Sequence, residues 1–193
     1  MRGTIRRHGP CGLAIESRSP YEVLTRAIAH QQLNGRAART ILGRFVALFP
    51  KNGRFPSPAA VLAARATRLR RAGFSRAKVR AIKDIARHAV GGVVPTRRAC
   101  GRLSDEQIIE RLIPIYGVGR WTVEMLLIFT LGRLDVLPVD DFGVREGFRV
   151  AYGRRVQPTP KALREFGKRW EPYRSVAAWY LWQVANAARK KTS

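Results

Sequence analysis

Two carboxylates stand side by side, Asp140 and Asp141 in "PVDDF", in a chain with 13 acidic residues against 37 lysines and arginines. A carboxylate there can stabilise a developing positive charge, take a proton from water, or cap a helix. One helix length upstream is "YGVGRWT", where Gly117 and Gly119 permit a tight turn and leave the backbone uncovered. Amides at the start of the helix that opens at Arg120 can face a phosphate, aided by the helix dipole. Such a contact grips a nucleic-acid backbone without reading its sequence. An ordinary turn between two core helices would use the same glycines. What sets this segment apart is the arginine directly after the turn and the acid pair downstream of it.

The elements that must position these residues read as helices. "SPYEVLTRAIAHQQ" opens with Ser19 as N-cap, Pro20 at the first helical position and Glu22 at capping-box spacing. "RAARTILGRFVALF" is a second amphipathic helix closed by Pro50, and Ser57 repeats the Ser-Pro opening. Ser75 caps "FSRAKVRAIKDIARHAV", and Ser104 with Gln107 makes a capping box for "SDEQIIERLI". "RWTVEMLLIFTL" is apolar almost all round and is expected to be the buried central helix. A further helix is expected from near Asp141 to Tyr152, followed by "TPKALREFGKRW" and "YRSVAAWYLWQVANAARK". "GGVVP" is expected as a short extended piece, and the basic ends "MRGTIRR" and "ARKKTS" as mobile. The pattern predicts an all-α chain.

Composition narrows the partner. A formal charge of +24 and a pI near 11.7 are most easily tolerated beside a polyanion. Arginine outnumbers lysine, which suits two-oxygen phosphate contacts. Codon bias would explain that ratio, but not the scarcity of acids. Cys11 and Cys100 lie far apart and cannot form a four-cysteine metal or iron–sulfur site, and His8, His30 and His88 are scattered. No apolar run has membrane-spanning length and no signal-peptide core opens the chain. The expectation is a soluble cytoplasmic protein, associated with the nucleoid in a bacterial cell.

The whole span "GVGRWTVEMLLIFTLGRLDVLPVDDFGVREG" resembles the helix-hairpin-helix superfamily of DNA glycosylases, in particular its AlkA-like 3-methyladenine branch. "AIAHQQLNGRAARTI" and "WEPYRSVAAWYLW" are similar to two further blocks of that family, in the same order. The resemblance runs from about Pro20 to Trp182. It implies a two-lobed all-α fold with the active-site cleft between the lobes. The corresponding division has residues 20–100 with 150–193 packing around 101–149, all within one glycosylase domain over 1–193.

The resemblance also implies roles. The family's catalytic aspartate falls on Asp141, beneath the sugar of a flipped nucleotide, with Asp140 in support as a helix cap, an arginine partner or a tuning charge. Bifunctional members carry a lysine just after the hairpin, where this chain has Trp121. The implied reaction is therefore monofunctional hydrolysis of an alkylated purine such as 3-methyladenine. Trp121 and Trp182 match aromatic pocket positions, with Tyr116, Trp179 and Tyr180 as neighbours, and Trp170 is expected in the core. Met125 stands where a relative has a pocket tyrosine, which leaves the lesion range open. The side chain filling the gap in the duplex falls on Gln32, with Leu33 as the alternative. Gly117, Gly119, Arg120 and Thr122 are the expected DNA-binding residues of the hairpin. The carbonyls of Ile113, Ile115 and Val118 are the implied ligands of a structural Na+ or K+, with no cofactor required and no iron–sulfur cluster. The implied partner is double-stranded DNA carrying a damaged base, bound by a monomer. A non-catalytic DNA-binding module, a glycosylase for neutral bases and an RNA-binding protein are the competing readings.

Overall fold

The computed structural model describes residues 1–49 and 54–192, and every regular element among them is helical. In chain order these are α1 (Arg2–His8), α2 (Pro20–His30), α3 (Gly35–Ala47), α4 (Pro58–Ala63), α5 (Ala66–Arg71) and α6 (Arg76–Val90). There follow α7 (Arg97–Cys100), α8 (Asp105–Leu112), α9 (Arg120–Phe129), α10 (Phe142–Ala151), α11 (Pro160–Gly167), a 3₁₀ turn (Lys168–Trp170) and α12 (Arg174–Thr192). The chain divides into two compact units, Met1–Glu16 with Leu127–Ser193, and Ser17–Leu126. The boundary falls inside α9, whereas the sequence reading divided the chain around a 101–149 segment.

Capping residues set where the helices begin. Ser19, Ser57 and Ser75 accept the amides of Glu22, Ala60 and Lys78 at 3.2, 3.3 and 3.2 Å. Ser104 and Gln107 form the full reciprocal box. Glu22 instead turns its carboxylate to Arg26 at 2.8 Å and Arg18 at 3.6 Å. Asn34, not foreseen as a cap, accepts from Ala37 N at 2.9 Å and starts α3. The expected stop at Pro50 lies outside the described residues.

In the unit Ser17–Leu126, Leu24, Ile28, Phe45, Leu69, Ile82, Ile85, Ile108 and Leu112 are fully buried. Each such side chain contributes roughly 1.5–3 kcal/mol of transfer free energy. The face of α9 bearing Val123, Leu126, Leu127 and Ile128 is buried as expected, while Trp121 is 46% exposed. In the other unit Val139, Val144, Phe148, Leu163, Ala178 and Leu181 form one core, with α10 packed along α12.

Two expectations fail. "GGVVP" is not a strand, because the Arg111 guanidinium takes the carbonyls of Gly92 and Val93 at 2.8 and 2.7 Å, satisfying polar groups a partner strand would otherwise pair. The basic N-terminus forms α1, which is docked rather than loose. Met1 packs on the core of its unit and the Tyr180 hydroxyl donates to Gly9 O at 2.8 Å, so tertiary contacts order a segment whose charge pattern suggested none.

Candidate active site

Within the unit Ser17–Leu126, α8, a turn and α9 make the hairpin. Gly117 has φ +84°, and a Cβ there would lie 3.0 Å from Ala81 Cβ and 3.1 Å from Ile28 Cδ1. Both the backbone angle and the space therefore require glycine. The turn is tied down twice. Asp84 Oδ2 accepts the amide of Tyr116 at 2.9 Å, and Gln31 Nε2 donates to Gly117 O at 3.1 Å. The first amides of α9 have no partner within the helix, as at any helix N-terminus, and this end can receive an anion.

Arg120 departs from its expected use. Its guanidinium grips Glu106 with two bonds of 2.9 Å and reaches Glu124 at 3.3 Å. These bonds raise the arginine's affinity for its proton and hold the Glu106 carboxyl below the usual range. Arg120 thus joins α8 to α9 as a brace.

At the end of α2 the chain turns through Gln32, whose φ of +57° is the single positive value at a non-glycine among the described residues. A left-handed glutamine stores strain and needs support. Lys78 supplies it, donating to Ala29 O at 2.9 Å and Gln31 O at 2.7 Å just ahead of the bend. Burial makes that lysine easier to deprotonate than usual. Gln32 and Leu33 are both exposed at this tip.

Beside the tip is a pocket of about 460 Å³ lined by Ala27, His30, Gln31, Gln32, Trp121, Thr122 and Met125. Trp121 and Met125 meet there as expected. Thr122 is 4% exposed and lines this pocket instead of standing on the surface as a DNA contact. Tyr116 is not among the lining residues. Its ring lies beneath the Arg80 guanidinium at 4.0 Å, directed there by the amide bond to Asp84. Desolvation, then the positive charges of Arg26, Arg39 and Lys78, lower the pKa of His30, so its ring is uncharged near neutrality.

In the other unit Asp141 is the N-cap of α10. Its Oδ1 accepts from Val144 N at 2.7 Å and from Trp182 Nε1 at 2.8 Å. The cap is therefore Asp141 itself, and Asp140 is exposed beside it. Trp182, expected in the base pocket, gives its indole N–H to the carboxylate and packs against Phe129 at 5.5 Å. Trp170 packs at the edge of this core against Phe166 and Phe148, as expected. The loop leading to Asp141 is buckled to the start of α12. Arg174 binds Asp135 at 2.7 and 2.9 Å, while Ser175 Oγ accepts from Val136 N at 3.0 Å and donates to Arg133 O at 2.7 Å. The Arg-Ser pair of "WEPYRSVAAWYLW" thus sets where the loop leading to Asp141 begins.

Sequence reasoning missed Asp84, Lys78 and Gln31 as supports, because their partners are backbone groups distant in the chain. It also missed Gly143 and Gly147, for which the i, i+4 glycine spacing in "FGVREG" was a usable signal. A Cβ at Gly147 would lie 1.9 Å from Leu181 O, so α10 and α12 touch backbone to backbone there. Among the described residues no group of three or more His, Cys, Asp or Glu could hold a metal ion, and no helix is long and apolar enough to cross a membrane.

Known proteins share this arrangement. The model of the HhH-GPD superfamily of base excision DNA repair proteins matches residues 25–172. The chain is 42% identical over 175 residues to DNA-3-methyladenine glycosylase 1 of Schizosaccharomyces pombe, covering 91% of this chain and 76% of that protein. A solved S. pombe 3-methyladenine DNA glycosylase in complex with abasic DNA superposes with a TM-score of 0.84 at 40% identity, over 94% of this chain and 89% of that one. A DNA-3-methyladenine glycosidase from Bacillus halodurans gives 0.88 at 33% identity, over 98% and 86%. With its hairpin, its acid-capped helix and these relatives, the chain belongs to the HhH-GPD superfamily of base excision DNA repair proteins.

Proposed function

We propose that this chain is a monofunctional DNA glycosylase that hydrolyses the N-glycosidic bond of alkylated purines, such as 3-methyladenine, in duplex DNA. The observation that carries the reading is the Asp141 carboxylate, fixed at the head of α10 by Val144 N and Trp182 Nε1. The kinship with 3-methyladenine glycosylases supplies the substrate class.

As the glycosidic bond breaks, its electron pair leaves with the alkylated purine and neutralises the positive charge on that base. The sugar becomes oxocarbenium-like, and a preorganised carboxylate stabilises that charge. Water adds at the anomeric carbon and Asp141 is the base that takes its proton. Trp121 replaces the lysine that would attack the sugar, so an abasic site is left intact. In the pocket of about 460 Å³ the Trp121 indole offers a face for a cationic purine, and uncharged His30 does not repel it. Gln32, held in its left-handed turn, is suited to fill the gap left by the flipped nucleotide, with Leu33 beside it.

The hairpin carbonyls of Ile113, Ile115 and Val118 are neutral hard oxygens of the type that hold Na+ or K+. Ile115 O also accepts from Val118 N at 3.0 Å, which keeps that segment in a tight turn. A monovalent ion there would add positive charge for a phosphate, and the reaction needs no further cofactor. The working form is the single chain on DNA, which in a bacterial cell puts it in the cytoplasm at the nucleoid.

The test is base release from methylated duplex DNA, followed by alkali to reveal abasic sites. The wild type should release 3-methyladenine and give strand breaks only after alkali. Asp141→Asn should reduce release by at least about 100-fold while binding to abasic DNA persists. Unchanged release in that variant would sink the assignment.

A further inference from the structure

We infer that Gly143 is a positioning residue for the reaction: its missing side chain is the slot through which the Trp182 indole reaches the Asp141 carboxylate. A Cβ built at Gly143 would stand 2.8 Å from Trp182 Cδ1, 3.2 Å from Trp182 Nε1 and 3.1 Å from Asp141 Oδ1. The first distance is shorter than real Cβ contacts, so any side chain at 143 displaces the indole or the carboxylate. Both belong to the same 2.8 Å hydrogen bond. Neither can yield easily. The indole is backed by Phe129 at 5.5 Å, and the carboxylate is bound to Val144 N at 2.7 Å as the helix cap.

Backbone freedom is not the reason for this glycine, because it lies inside α10 and its φ is not among the positive values. Glycine inside a helix is less favourable than alanine. The geometry gives that cost a use. Gly147, one turn on, brings the backbones of α10 and α12 together at Leu181, and Gly143 keeps the resulting space open for residue 182. Together the two glycines convert helix packing into the orientation of one carboxylate.

The inference rests on the glycosylase reading, and the experiment separates the two. Single-turnover excision of 3-methyladenine and affinity for abasic duplex would be measured for the wild type and four variants. These are Asp141→Asn, Gly143→Ala, Trp182→Leu and Gly143→Ala with Trp182→Leu. A misplaced catalytic group costs rate before binding. Gly143→Ala should therefore lose roughly tenfold or more in the rate constant, with Kd for abasic DNA changed by less than about threefold. In the Trp182→Leu background, where the closest clash is gone and only the 3.1 Å contact with Asp141 Oδ1 remains, the same substitution should cost less than about threefold.

The Trp182 indole N–H resonance, assigned by its disappearance in Trp182→Leu, should move in Gly143→Ala and in Asp141→Asn. A Gly143→Ala rate within about twofold of wild type overturns the proposal, as does an equal loss in both backgrounds. If Gly143→Ala alone does not fold, the two proteins lacking Trp182 decide: rates within about threefold support it and a larger loss overturns it. No excision by the wild type removes the glycosylase reading, and excision that survives Asp141→Asn removes the catalytic role of Asp141, whatever Gly143 does. Excision lost in Asp141→Asn but normal in Gly143→Ala removes the positioning role alone.

Discussion

His30 gives the pocket of Trp121 and Met125 a polar wall without a charge, and that matters for a substrate that is itself cationic. Burial and three neighbouring bases hold its pKa below the ordinary value. A permanent charge at this point should therefore discriminate between bases by their charge. His30→Lys is expected to slow release of 3-methyladenine or 7-methylguanine about tenfold more than release of neutral hypoxanthine, a difference of about 1.4 kcal/mol. Parallel excision assays on the lesions would check it, and equal slowing of both classes would count against a pocket tuned by charge. At this scale the helix start at Asp141 was legible because an acid pair after a proline is conspicuous in so basic a chain. Tyr116 was not. Its direction is set by Asp84, 32 positions away, and by the Arg80 guanidinium, and local spacing carries no trace of either. Arg120 was read as a phosphate ligand from its place after the hairpin, and Glu106 and Glu124 give it a bracing role instead.

The helix ends show the same contrast. Where the start signal is local, as at Ser19, Ser57, Ser75 and Ser104, sequence and structure agree. The short α5 and α7 lack a two-turn apolar repeat, and α1 is ordered by docking against α12, so pattern reading passes over all three. The bend after α2 is the functional case. Lys78 on α6 holds the carbonyls of Ala29 and Gln31 just ahead of Gln32, and no motif announces a lysine that caps a neighbouring helix. Lys78→Met should cost about 1.5–3 kcal/mol of stability, the range for hydrogen bonds to a charged group. It should also slow excision from duplex DNA roughly tenfold while leaving single-stranded substrate within about twofold, since only a duplex has a gap to fill. Equal slowing on both substrates would argue that the bend serves folding alone.

Over the whole molecule the excess of positive charge is the most legible property, and the arrangement of its two units the least. Net charge is a sum over composition, whereas the unit boundary inside α9 depends on contacts between distant segments. If the chain neutralises about six phosphates, affinity should fall about 10³-fold between 50 and 200 mM salt. Fluorescence anisotropy across that range would measure the slope, and a fall of less than about tenfold would mean that most of the arginines face solvent rather than DNA.

One atom, Asp141 Oδ1, accepts both the cap bond from Val144 and the indole bond from Trp182. Asparagine carries the same carbonyl oxygen and caps helices about as well as aspartate. Aspartate and asparagine codons differ by one nucleotide. If Asp141 carries the reaction, a folded, DNA-gripping and chemically inert form of this protein lies a single base change away. Such a form would not stop at failing to repair, since it would occupy damaged sites and shield them from other enzymes. In a cell carrying both alleles, the defect should behave as dominant rather than recessive.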